Sequence, residues 1–71
     1  MEKWLKDTRE LMYIYHITQK QIAERLNVAQ PVISRALNGL KISPAMKQDI
    51  FWAAKELADE RYQKIGGEIN D

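Results

Sequence analysis

Few residues in this 71-residue chain can do covalent or metal chemistry. There is no cysteine, which excludes disulfides, thiolate metal sites and a thiol nucleophile. His16 is the single histidine, and no nucleophile or paired carboxylate accompanies it. It reads as a polar residue at a helix end, so no catalytic centre, no metal cluster and no cofactor is expected. What the chain does carry is cationic and hydrogen-bonding chemistry in one stretch. Between residues 18 and 41, Lys20, Arg25, Arg35 and Lys41 stand against Glu24 alone, a local charge of +3. Residues 1–17 net zero and residues 42–71 net −2, so the overall charge of +1 hides this concentration. A basic segment of this kind suits a polyanion such as nucleic acid; the alternative is scatter in a short chain.

The elements that must position these residues read as helices, with no strand-like alternation. The expected fold is all-α, a small bundle of four helices or five. A first helix spans about Glu2 to Tyr15, with Trp4, Leu5, Thr8, Leu11, Met12 and Tyr15 on one core-facing arc. Thr18, followed three residues later by Gln21, forms a capping box that starts a second helix, Gln19 to Leu26. Asn27-Val28-Ala29 breaks the period, and asparagine tolerates the left-handed backbone of a tight helix end. Pro31 fits the first turn of a third helix, which stops near Asn38 at Gly39. Ser43-Pro44 opens a fourth helix that is expected to end at Gly66-Gly67, after Ile65. Residues 1–65 are thus read as one domain and residues 66–71 as a frayed tail.

The stretch QKQIAERLNVAQPVISRALN places apolar residues where two short helices must meet. Ile22 and Leu26 supply the inner face of the first, and Ala23 allows the close crossing. Val28 plugs the turn, and Ile33 with Ala36 or Leu37 closes the cluster, leaving the outer face of the second helix free. This stretch resembles the helix-turn-helix of phage repressors of the Cro and CI type, the lambda-repressor-like arrangement. Its Val28 to Asn38 portion also resembles the LacI class. The resemblance rests on apolar residues at the fourth, eighth, tenth and fifteenth places (Ile22, Leu26, Val28, Ile33), alanine at the fifth (Ala23) and the closing Asn38-Gly39. Asn27 stands where the family prefers glycine, and Ala36 is smaller than the usual residue at its place.

The resemblance implies a transcriptional regulator, specifically a Cro/CI-like repressor from a phage or mobile element. It binds double-stranded DNA with the third helix in the major groove. Gln30 would then pair with adenine and Arg35 with guanine, Val32 would touch a thymine methyl, and Ser34 would reach a base or a phosphate. Gln19 would bind a backbone phosphate, flanked by Thr18, Lys20, Asn38 and Lys41. Each of these polar residues is otherwise an ordinary solvated side chain.

The fourth helix carries two apolar stripes. Met46, Ile50, Ala53 and Leu57 are expected to pack on the motif. Phe51, Ala54, Ala58, Tyr62 and Ile65 lie beside them, with Trp52 among charges on the far side. Phe51, Trp52, Ala58 and Tyr62 are therefore read as a homodimer interface, the alternative being that the first helix wraps over part of this stripe. A dimer would read an inverted repeat. A second function class also follows from the low net charge and the apolar surplus: a protein-interaction module that acts on another repressor as its protein partner. With neither signal peptide nor membrane span read, the expected location is the bacterial cytoplasm or nucleoid, with no membrane partner.

Overall fold

The computed structural model describes residues 1–70, with side chains described through Gln63. Four helices follow one another: α1 (Lys3–Tyr15), α2 (Gln19–Leu26), α3 (Gln30–Leu37) and α4 (Pro44–Asn70). No strand and no fifth helix occur among the described residues. No described helix is long and apolar enough to cross a membrane.

The helix ends are set by local hydrogen bonding. The Thr18 hydroxyl accepts from the Gln21 amide at 3.1 Å, and the Gln21 side chain accepts from the Thr18 amide at 2.9 Å, completing the capping box. Ile17, just before this cap, and Ile22, one turn into α2, are both buried, so they staple the entry of the chain onto the helix. Ser43 caps α4 by accepting from the Met46 amide at 3.1 Å. The first three helices close alike. His16, Asn27 and Gly39 each take the left-handed conformation, with φ of 56°, 57° and 87°. The next residue's amide then reaches back five positions: Ile17 to Met12, Val28 to Ala23, Leu40 to Arg35. His16 thus serves its helix end through its backbone.

The core is one cluster. Ile22, Ile33, Ile50 and Thr8 are fully enclosed, joined by Leu5, Ile17, Ala23, Ala36, Leu37, Ala53, Ala54 and Ala58. Thr8 is tolerated there because its hydroxyl donates back to the Trp4 carbonyl at 2.6 Å. Both Ala36 and Leu37 face inward, which resolves the open choice between them. α1 and α2 both pack on α4, and α2 packs on α3. Ala54 and Ala58, read from the sequence as part of a stripe facing a second copy, lie in the core and cannot form a dimer surface. Ile65 lies outside the described side chains.

The fourth helix does not stop at Gly66-Gly67 but continues to Asn70. Glycine lowers helix propensity by about 1 kcal/mol relative to alanine without forbidding helical angles, so a glycine pair weakens a helix rather than necessarily ending it. At roughly 1.5 Å per residue, these 27 residues account for most of the 45 Å long axis of the molecule.

Candidate nucleic-acid interface

The two short helices α2 and α3 are joined by Asn27-Val28-Ala29. Ile22 and Ala23 from the first, and Ile33, Ala36 and Leu37 from the second, are buried, with Leu26 and Val28 partly buried against them. Burying these residues turns the remaining face of α3 outward. Gln30, Pro31 and Arg35 are exposed there, and Val32 and Ser34 are half-buried. The α3 sequence contains no acidic residue, and none lies in the first turn of α2.

The starts of the two helices converge. Gln19, Gln30, Pro31 and Ser34 line one shallow cleft of about 320 Å³. A glutamine side chain at the start of each helix therefore borders the same hollow, together with the Ser34 hydroxyl. Both glutamines offer paired donors and acceptors, the set suited to base edges and phosphate oxygens. Thr18 and Lys20 are exposed around the start of α2, Thr18 with a hydroxyl proton still free to donate. At the other end of α3, Asn38 and Lys41 are exposed beside Gly39.

The charge in this region is more divided than its sequence total suggests. The Arg25 guanidinium lies 2.6 Å from the Glu60 carboxylate on α4. Hydrogen bonding between them raises the Arg25 pKa and holds Glu60 below the ordinary glutamate range. Arg25 is therefore partly neutralised and belongs to the α2–α4 packing. Lys20, Arg35 and Lys41 remain as the cations associated with the outer surface of the motif.

Two further contacts carry no signal in the sequence. Arg9 on α1 donates to the Leu37 carbonyl at the end of α3, a favourable place for a cation. These partners are 28 residues apart, so periodicity carries no trace of the contact. On the opposite flank, Lys47 Nζ lies 2.7 Å from the Glu2 carboxylate, whose pKa is lowered chiefly by that hydrogen bond. Of the residues read as a dimer surface, Phe51 is half-buried, while Trp52 and Tyr62 are 47% and 65% exposed. No group of three potential metal-ligating side chains gathers among the described residues.

Compared with known proteins, the chain matches no family model, no curated protein and no solved structure.

Proposed function

We propose that this chain is a sequence-specific DNA-binding regulator, a Cro/CI-like repressor that binds an inverted repeat as a dimer. The observation that carries this reading is the division of α3 into two faces. Ile33, Ala36 and Leu37 are buried, while the acid-free outer face presents Gln30 and Arg35 beside a cleft shared with Gln19. In this reading α3 lies in the major groove. Gln30 pairs with adenine N6 and N7, and Arg35 with guanine O6 and N7. Val32 contacts a thymine methyl and Ser34 a base or phosphate. Gln19, Thr18, Lys20, Asn38 and Lys41 hold the backbone phosphates and fix the register. Repression follows from occupancy: a protein seated on a promoter excludes polymerase from it.

Selection of bound sequences from random duplex DNA, at near-physiological salt, tests the reading. The expected result is an enriched inverted repeat with half-sites about one helical turn, roughly 34 Å, apart. Absence of any enriched sequence contradicts it and favours action on a protein partner instead.

A further inference from the structure

Among the exposed residues on the face of α4 opposite the core, Trp52, Lys55, Asp59 and Tyr62 stand in a heptad-like order. At 100° per residue they fall within an arc of about 80°, a single stripe about 15 Å long. Lys55 Nζ sits 5.0 Å from the Trp52 ring, a cation–π contact that holds both side chains along the helix. Trp52 is further braced edge-on by Phe51, with ring centroids 6.0 Å apart. Beyond Ala58 no described residue of α4 is buried, so the second half of the stripe stands on a part of the helix that leaves the core. The Arg25–Glu60 pair ties this part of the helix to the body on a different side.

The order of chemistry along this stripe is aromatic, cation, anion, aromatic. Reversed, it is its own complement. We infer that α4 pairs antiparallel with α4 of a second copy of this chain, about a two-fold axis level with Leu57. An isologous contact requires that if residue i meets residue j, then j meets i. About this axis Trp52 meets Tyr62 of the second copy, and Lys55 meets its Asp59, each twice. Aromatic edges join at both ends and two ion pairs lie between them, so the charge pattern itself selects a second copy in antiparallel register. This deepens the dimeric part of the proposed function and replaces the buried Ala58 with Lys55 and Asp59 in the interface.

The test is sedimentation equilibrium of the full chain without DNA, from about 1 to several hundred micromolar, in low salt. The expected result is a concentration-dependent monomer–dimer equilibrium. Lys55→Asp and Asp59→Lys, each placing like charges opposite one another, should each weaken the dimer at least about tenfold. The combined K55D/D59K protein restores the opposite pairs and should return to within about threefold of wild type. Both positions are exposed, and circular dichroism in the dilute, monomeric range checks that each variant keeps its fold. A wild-type chain that stays monomeric throughout, or a double exchange that fails to restore association, overturns the inference. Because DNA is absent, this result stands apart from the reading of α3: failed selection with an intact dimer rejects the DNA reading alone.

Discussion

Arg35 and Gln30 are exposed on α3, and Gln19 is half-buried at the start of α2. Ile33, Ala36 and Leu37 occupy the buried side of α3, so Arg35 faces water. Lys41 lies in the loop between α3 and α4 and is exposed. In the proposed complex it contacts a phosphate. Lys41→Ala should then weaken all duplexes alike and flatten the dependence of log affinity on log salt by about 0.9 per site, measurable by anisotropy titration. Asn27 illustrates a residue legible from the sequence for backbone reasons. Its φ of 57° suits asparagine or glycine and strains other side chains. Asn27→Ala should cost about 1 kcal/mol or more in urea unfolding, whereas Asn27→Gly should be close to neutral. Arg9 was not legible at all, because its partner is a main-chain carbonyl 28 residues away.

At the scale of elements, starts and stops were the most readable features. The capping box at Thr18, the cap at Ser43 and the turn at Asn27 are fixed by nearest-neighbour hydrogen bonds. The far end of α4 departs from expectation because a glycine pair weakens a helix without ending it, and Ala54 and Ala58 are buried rather than part of an exposed stripe. Periodicity shows which residues share a face; it does not show how many neighbouring helices that face will meet. Here two helices pack on α4, and the buried arc widens accordingly. Ile22 and Ile33 are fully enclosed at the α2–α3 junction. Truncating either to alanine should cost roughly 2–5 kcal/mol, a large share of the total stability of so small a domain. Denaturant titration of Ile33→Ala should show a fall in midpoint or an unfolded chain. The α2–α4 junction adds a pH dependence. The Glu60 pKa is lowered by Arg25, so the pair stabilises the fold above the ordinary glutamate range. That contribution is lost as pH falls through the lowered value. Thermal melts should show Glu60→Gln losing less stability than wild type on acidification over this interval.

For the whole molecule, the division of labour is between a packed motif at one end and a long helix that outruns the core. The inner face of α4 completes the domain through Ala58, and its outer face carries the stripe from Trp52 to Tyr62, whose second half lies beyond the last buried residue among those described. The fold class was legible because helix caps and buried isoleucines act locally. The stripe proposed above as an association surface was readable in the sequence only in part. Trp52 and Tyr62 were recognisable as surplus aromatics, but the complementarity of Lys55 and Asp59 emerges once the inward face of α4 is known. The charge of +3 summed over residues 18–41 likewise hides the pairing of Arg25 with Glu60, which lies on a distant helix.

The claim that α3 reads DNA is tested most directly by the affinity of wild type and Arg35→Ala for two duplexes: the selected site, and the same site with the proposed guanine replaced in each half. Wild type should discriminate between them. Arg35→Ala should bind the selected site about 5–150-fold more weakly for each guanine that the missing guanidinium would have paired, equivalent to roughly 1–3 kcal/mol, and should show no preference at that base pair. Equal affinity of the two proteins for the selected site, with discrimination unchanged, would contradict the placement of α3 in the major groove.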